Sequence, residues 1–333
     1  MTDGDIEIRL PTPEDLPAIG ELYRVVKGRS RPESVTRHRF FDTPWGDPPA
    51  LIAVDGDKCV GMVLVWPAAL RVGDEVVLGG QGTDGATHPD YRNRPRFFVG
   101  LIRAGIQLME ERGVDVYYTF PNARSVKVVK VVAGTYLGEV AAWGFEFGHR
   151  GGLGFLRRKW RGLGELSAAG TTPPPELAVL IEEALGDEPV IRVDKSPTWL
   201  EWRYSPATAE RYEWLLLHEG SSMVAAALVG ERDPALWGPH FAGLWRIHEL
   251  FAVSEDAGEG LLRRVIAHVR QRSGARKLDV LVKDPRLEHA VERAGFARET
   301  PRPITSIVFR EGLQLDPYDF SNWRIISGDM DFF

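Results

Sequence analysis

The chain has 333 residues, 44% of them hydrophobic, which is enough for a large buried core and a length more typical of two domains than of one. Its net charge is −6 and no basic run dominates, which argues against nucleic acid as a main partner. The single cysteine, Cys59, excludes an intramolecular disulfide and a cysteine-based metal cluster. An acidic start and the lack of a long apolar run predict a cytoplasmic protein without a membrane span.

The first elements in chain order are a strand, a helix and a hairpin. Residues 6–10 alternate like a half-buried strand, and a capped helix with proline in its first turn is predicted from Thr12. Residues 28–49 are rich in Arg, Pro and Gly and predict a long loop over the active-site side. Two strands joined by a hairpin turn are predicted at 51–54 and 60–66.

The stretch from Ala86 to Phe98 organises the rest of the chain. It follows a β-type run that ends at Thr87, and apolar residues at helical spacing follow it from 97 to 109. A helix start leaves backbone N–H groups unpaired and carries the positive end of the helix dipole. With three arginines before it, this start suits an anion such as pyrophosphate; a basic surface turn is the alternative. The arginines are Arg92, Arg94 and Arg96.

This stretch resembles the acyl-coenzyme A loop of the GCN5-related N-acetyltransferase (GNAT) superfamily, Arg/Gln-x-x-Gly-x-Gly/Ala between a strand and a helix. Both loop glycines are replaced here, and Pro95 has no N–H for a phosphate, but the arginines supply charge and bidentate bonds. The resemblance implies acetyl-CoA, or another acyl-CoA, as co-substrate and no metal. The residues that it implies for coenzyme binding are Ala86, Thr87, His88, Arg92, Asn93, Arg94, Pro95, Arg96, Phe97, Asn122 and Ser125.

The order of elements after this loop also resembles the superfamily. Strands are predicted at 114–120 and 136–147, with a helix between them. The family's Asn followed three residues later by a small residue falls on Asn122 and Ser125. Many members carry a Tyr general acid in this helix, where the chain has residues 128–130, Val-Val-Lys.

The second half repeats the plan of the first. This internal repeat predicts an α/β (α+β) protein of two tandem GNAT-like domains, each a mixed, mostly antiparallel twisted sheet flanked by helices. The domains are predicted at 1–150 and 190–333, with a linker region at 151–189 that contains a proline run. The repeated elements are strands at 212–217, 223–229, 245–253, 278–282 and 304–309 and helices at 261–271 and 285–294.

The second half keeps loop glycines but places acids beside them. Three acidic residues occupy the segment 255–260, where a pyrophosphate would meet like charges. The coenzyme is therefore assigned to the first half. The second half is predicted to be a degenerate copy that completes the acceptor pocket.

Acid–base candidates lie on the fourth strand of each domain, which in the superfamily supplies an oxyanion-binding N–H and often the base. In the first half Asp84 is predicted as base or amine anchor and His88 as its alternate; the structural alternatives are a turn cap and a residue that merely precedes proline. In the second half the rival pair is His248 and Glu249, with structural burial or a surface pair as the alternative. Adjacent strand residues point to opposite faces, so at most one of these two is expected to face the pocket.

Residues 199–204 resemble a Trp-Arg-Tyr signature of tandem GNAT proteins that acylate amino sugars and aminoglycosides. Trp202 and Arg203 are therefore predicted to bind substrate, by stacking on a sugar ring and by holding an anion, with core packing as the alternative. Some tandem members use the chain-terminal carboxylate as base, which Phe333 offers here, although docking of an apolar tail is the default.

Together these features predict an N-acyltransferase that moves a short acyl group from acyl-CoA to a primary amine, most simply an amino sugar, by direct attack. A covalent route is not predicted, because Cys59 lies in a hairpin and Gly-x-Ser-x-Gly is absent. The alternative is an inactive tandem GNAT that binds coenzyme A or a sugar as a regulatory module. A third possibility, Fem-type transfer from aminoacyl-tRNA, predicts a basic groove that the acidic composition does not suggest.

Overall fold

A computed structural model describes residues 6–122, 125–126, 132, 134–148, 165–186, 188–208 and 211–330. Over these residues fourteen strands join one mixed, mostly antiparallel sheet with helices packed against it, as the sequence predicts. No helix in the described ranges is long and apolar enough to cross a membrane.

The first half builds one end of the sheet. Its strands run in the order β1-β2-β3-β4-β5, and only the β4–β5 pair among these is parallel. Side chains alternate across the sheet, so Ile52 of β2 packs under α1 and α2 while the adjacent Leu51 packs under α3. The elements are β1 Glu7–Arg9, α1 Leu16–Lys27, α2 Glu33–Phe40, β2 Ala50–Asp55, β3 Lys58–Val72, β4 Glu75–Thr87, α3 Pro95–Glu111, β5 Val116–Thr119 and β6 Thr135–Glu146.

Helix α2 corrects the prediction of a long loop at 28–49. Its sequence has weak apolar periodicity, but Val35 and Phe40 are buried against the sheet. Tertiary burial therefore forms a helix that local pattern does not reveal.

The second half builds the other end of the sheet. Its strand order β12-β11-β10-β9-β7 again has one parallel pair, β11–β12. The elements are β7 Glu165–Ala169, α4 Leu177–Leu185, β8 Ile191–Val193, α5 Pro197–Arg203, β9 Arg211–Glu219, β10 Ser222–Glu231, α6 Pro234–Trp237, β11 Leu244–Ala252, α7 Glu255–Arg270, β12 Lys277–Lys283, α8 Pro285–Arg293, β13 Ala297–Val308 and β14 Ile325–Ile326.

Two predictions for this half need correction. The 151–189 region is more than a linker, because β7 pairs with β9 and α4 packs against the sheet. The glycine-bearing segment 255–260 is no loop, since it forms the first turns of α7 behind the cap Ser254. Acids favour the first turn of a helix, which explains their position without any ligand.

The two halves exchange strands where they meet. Strand β13, from the end of the chain, lies between β5 and β6, and β6 lies between β13 and β12. The sheet of each half is therefore extended by one strand of the other half. Neither sheet is complete by itself, so the halves form one continuous structure.

Candidate active site

A cleft of about 220 Å³ opens where the parallel strands β4 and β5 separate. The two strands are paired only from Gly79–Val116 to Gly82–Thr119, while β4 continues for five residues beyond Gly82. Helix α3 covers one side of the opening through Phe98, Ile102 and Ile106. A concave, mostly apolar site of this kind is the usual form of a small-molecule site.

A β-bulge shapes the cleft wall. Thr83 pairs with Leu64 and Ala86 with Met62, so two residues of β4 lie opposite a single residue of β3. The two are Asp84, with a φ of 45° that side-chain-bearing residues rarely adopt, and the exposed Gly85. Bulges interrupt the ladder and redirect a strand's polar groups, and Thr83, Asp84 and Gly85 at this bulge all line the cleft.

Asp84 anchors the helix pair α1–α2 to this bulge. Its carboxylate accepts from Arg31 Nη1 and from Arg39 Nε, both at 2.8 Å, and all three side chains are buried. Burial opposes ionisation of the Asp84 carboxyl, but the two guanidinium groups outweigh this and lower its pKa to about 2. The ion cluster thereby fixes the α1–α2 segment to the bulge of β4.

The segment that links β4 to α3, beside the cleft, is basic. Arg94 is the N-cap of α3 and lies over the Tyr91 ring, 4.8 Å from its centroid. Arg92 and Arg96 are exposed, and Arg92 Nε donates to Thr87 O at 3.2 Å. Pro95 is the first residue of the helix, where proline is well tolerated.

The second half has a matching opening between β11 and β12, but the chain itself fills it. After the pairs Leu244–Lys277 to Arg246–Asp279, β12 pairs instead with the tail strand β14. The tail then contacts β11 so closely that a Cβ on Gly328 would lie 2.8 Å from Glu249 Cδ. A β-bulge at His248 corresponds to the bulge at Asp84, so the two halves share this irregularity of the strand as well.

The acetyltransferase (GNAT) domain family matches residues 7–128, the part of the chain that forms the cleft. Residues 7–128 therefore resemble a GNAT domain. The chain is also similar in fold to a tandem GNAT protein from the clavulanic acid biosynthesis pathway, with 10% identity, a TM-score of 0.64 and coverage of 92% of this chain and 100% of that one. This likeness extends the GNAT fold over both halves. Comparison with curated proteins gives no match.

Two further solved GNAT structures show the same likeness of fold. A GCN5-related N-acetyltransferase from Anabaena variabilis is 12% identical, with a TM-score of 0.65 and coverage of 92% of this chain and 73% of that one. One from Kribbella flavida is 16% identical, with a TM-score of 0.60 and coverage of 91% and 71%.

The GNAT cleft brings together only part of the predicted coenzyme set. Asn122 and Ser125 line it, and Asn122 Oδ1 accepts from the Ser125 backbone N at 3.0 Å. The predicted residues from Ala86 to Phe97 follow the end of β4 and the start of α3, beside the cleft. Residues 128–130, where the family tyrosine is missing, lie outside the described residues.

His88 faces away from the cleft lining. It is buried, and its Nδ1 accepts from the Asp90 backbone N at 3.3 Å as the cap of a short turn. It borders a surface depression together with Cys59, whose thiol pKa is raised by burial to about 12. Its proposed acid–base role remains a prediction.

His248 and Glu249 lie in a buried network of the second half. Tyr204 Oη donates to Glu249 Oε1 at 2.5 Å, and the Tyr204 and His248 rings are 6.0 Å apart. Both side chains thus contact Tyr204, although adjacent residues of a regular strand point to opposite faces of the sheet. The bulge at His248 interrupts this alternation. Burial raises the pKa of Glu249, opposed by Lys195, and lowers the pKa of His248 well below its usual value.

Trp202 and Arg203 are also buried, and their contacts favour structural roles. The Trp202 ring stacks on His38 at 5.5 Å and meets Trp66 edge-on at 5.3 Å. Arg203 donates to Gly328 O at 3.2 Å and to Met330 O at 3.0 Å, so it holds the tail. Their substrate-binding role stays a prediction, and Phe333 lies outside the described residues.

Sequence reasoning missed Arg31, Arg39 and Tyr117. The two arginines lie in the segment predicted as a loop, and only the fold brings them to Asp84. Tyr117 is in a predicted strand, but nothing in its local pattern shows that its side chain lines the cleft. These contacts join residues far apart in sequence.

Proposed function

We propose that the chain is an N-acyltransferase that moves a short acyl group from acyl-CoA to a primary amine. One observation carries this: the GNAT cleft between β4 and β5 is open, while its counterpart between β11 and β12 is filled by β14. The coenzyme is placed in the first half, with pyrophosphate at the arginine-rich start of α3 and the thioester at the bulge. The second half holds the tail instead of a coenzyme.

The proposed chemistry is direct. The neutral amine nitrogen attacks the thioester carbonyl carbon, and backbone N–H groups at the bulge stabilise the oxyanion. The C–S bond then breaks, and the proton lost by the nitrogen goes to the departing thiolate, which gives the amide and the free coenzyme A thiol. The amine reaches the cleft from the α1–α2 side, where Asp84 and Lys27 are part of the lining. We assign Asp84 to holding the bulge and α1–α2 segment, because a carboxylate shared by two guanidinium groups is a poor base.

For the acceptor we propose an amino sugar, and for the donor acetyl-CoA in the cytoplasm. The support is the tandem arrangement and the resemblance of residues 199–204 to the signature of tandem proteins that acylate amino sugars. Thiol release from acetyl-CoA with a panel of amino sugars, alkylamines and arylamines tests the proposal. Coenzyme binding without thiol release for any amine would support a binding module, and no binding at all would contradict both.

We expect the pH dependence of kcat/KM to follow the acceptor. Among the described residues of the cleft lining, Asp84 is the sole carboxylate and no histidine is present. With the pKa of Asp84 near 2, it stays ionised throughout the neutral range and adds no inflection there. The rate should therefore rise with pH toward the pKa of each amine used. A fixed inflection near pH 6–7 that is independent of the amine would instead identify a protein base.

Charge reversal in the basic segment beside the cleft is expected to weaken coenzyme binding. Arg92→Glu should raise the acetyl-CoA dissociation constant by tenfold or more, about 1.4 kcal/mol, because a charge-assisted bond is replaced by repulsion. Calorimetric titration measures it. Arg112→Glu, an exposed reversal just beyond the other end of α3, is the matched control and should leave the constant nearly unchanged. Equal effects of both variants would remove Arg92 from the site.

A further inference from the structure

The inner end of the cleft is closed by Tyr117. Its ring reaches across from β5 to β4, and a Cβ on Gly82 would lie 2.7 Å from Tyr117 Cζ and closer still to the hydroxyl. This is the point where the β4–β5 pairing ends, at Gly82–Thr119. Glycine at 82 is therefore required for the ring to take this position, and the ring forms the floor of the cleft.

An apolar cluster surrounds this floor. Buried Val65, Met109 and Val114 form it, with Leu78, Ile106 and Tyr117 packed against them. Val65, Ile106 and Met109 also line the cleft, whereas Val114 and Leu78 are outside its lining. Burial raises the pKa of Tyr117 to about 12, so its hydroxyl stays neutral at physiological pH. The floor thus places no charge at the apolar end of the cleft.

The cleft and its surroundings differ in polarity from one end to the other. The arginines at the start of α3 follow the end of β4, and the polar pair Asn122 and Ser125 lines the cleft, while Val65, Ile106 and Met109 make other parts of the lining apolar. A ligand with an anionic end and an apolar end fits in one direction only. Given the proposed function, on which this inference rests, the acyl group extends from the bulge toward Tyr117.

We propose that Tyr117 determines the length of the acyl group, admitting short chains and excluding those of about six carbons or more. Asp84 and Gly82 are two residues apart on β4, a rise of about 7 Å. That span leaves space for a few carbon atoms between a thioester at the bulge and the ring. Removing the ring extends the cleft toward Val114 and Leu78 of the same cluster, where a longer chain would lie.

The test compares acetyl-, butyryl-, hexanoyl- and octanoyl-CoA as donors for the wild type, Tyr117→Phe and Tyr117→Ala. Tyr117→Ala should raise the hexanoyl-to-acetyl ratio of kcat/KM by about tenfold or more, since each added methylene gains apolar burial. Tyr117→Phe keeps the ring and should change that ratio by less than about twofold. Tyr117→Leu replaces the alanine variant if circular dichroism shows that the latter does not fold.

Dissociation constants of acetyl- and hexanoyl-CoA, measured by tryptophan fluorescence, provide a readout that needs no turnover and should shift in the same direction. An unchanged ratio in Tyr117→Ala or Tyr117→Leu, with wild-type activity intact, overturns the role of Tyr117 alone. A wild type that neither binds nor uses any acyl-CoA overturns the proposed function. An equal change in Tyr117→Phe would show that the hydroxyl, not the ring, sets selectivity and would also overturn the inference.

Discussion

Replacing Asp84 with alanine is expected to lower the free energy of unfolding by about 3–5 kcal/mol, because it leaves two buried guanidinium groups without their shared carboxylate. The Asp84, Arg31 and Arg39 side chains are 0%, 3% and 2% exposed, so water cannot replace the lost partner. The substitution also places alanine at a position whose φ is 45°. Chemical denaturation monitored by circular dichroism measures the change.

Two controls separate charge from backbone effects in that experiment. Asp84→Asn removes the charge but tolerates a positive φ, so a loss close to that of Asp84→Ala would identify the ion cluster as the cause. Asp194→Ala breaks a more exposed pair with Arg71 and should cost less than about 1 kcal/mol. A loss for Asp84→Ala no larger than for Asp194→Ala would contradict the expected role of the cluster.

The contribution of Asp84 should also depend on pH in a defined direction. Its pKa in the folded protein is lowered to about 2, below the ordinary value of 3.8. The stabilisation is therefore present above pH 4 and is lost as pH falls from about 4 toward 2. The difference in unfolding free energy between wild type and Asp84→Asn should shrink over that window.

Replacing Lys195 with alanine is the second large expected effect, again about 3–5 kcal/mol of unfolding free energy. Lys195 Nζ bonds Glu249 Oε1 at 2.9 Å and also Asp329, and it lies 4.0 Å from the Trp199 ring centroid. Without it two carboxylates remain buried beside one another. The tail that fills the β11–β12 opening would lose its ionic attachment.

The pH dependence of the Lys195→Ala variant shows whether charge causes its loss of stability. Burial raises the pKa of Glu249 even in the wild type, and loss of Lys195 raises it further. A group whose pKa is raised by folding stabilises the folded protein less as pH rises through that pKa. The unfolding free energy lost in Lys195→Ala should therefore be larger at pH 8 than at pH 5. Lys277→Ala, which breaks a partly exposed pair with Glu299, is the control and should cost about 1 kcal/mol or less at both values. A deficit independent of pH would show that packing, not charge, is responsible.

Most elements were predictable because their patterns are local. The hairpin of β9 and β10 and the helix α8 were predicted nearly where the structure has them. Helix α2 and strand β7 were not predicted, because their stability depends on burial against elements distant in sequence. The start of α7 was misread because glycines at 258 and 260 suggested a loop, although Gly258 packs against Ala290 and Ala252.

The candidate site was only partly predictable. Its location at the end of β4 and the start of α3 follows from the basic stretch 86–98. The partners of Asp84 did not follow, since Arg31 and Arg39 lie 53 and 45 residues away in the chain. The burial of Trp202 could not be read from its neighbours either, because its contacts Trp66 and His38 come from the other half.

The sequence by itself determined the tandem plan, the strand–basic turn–helix beside the cleft and the acids that begin α7, because periodicity, caps and charge act over a few neighbouring residues. The tertiary structure alone decided which cleft stays open. The tail strand β14 occupies the second opening, Tyr117 closes the first at its floor, and two distant arginines hold the bulge at Asp84. Each of these depends on contacts between segments far apart in the chain, which no local pattern encodes.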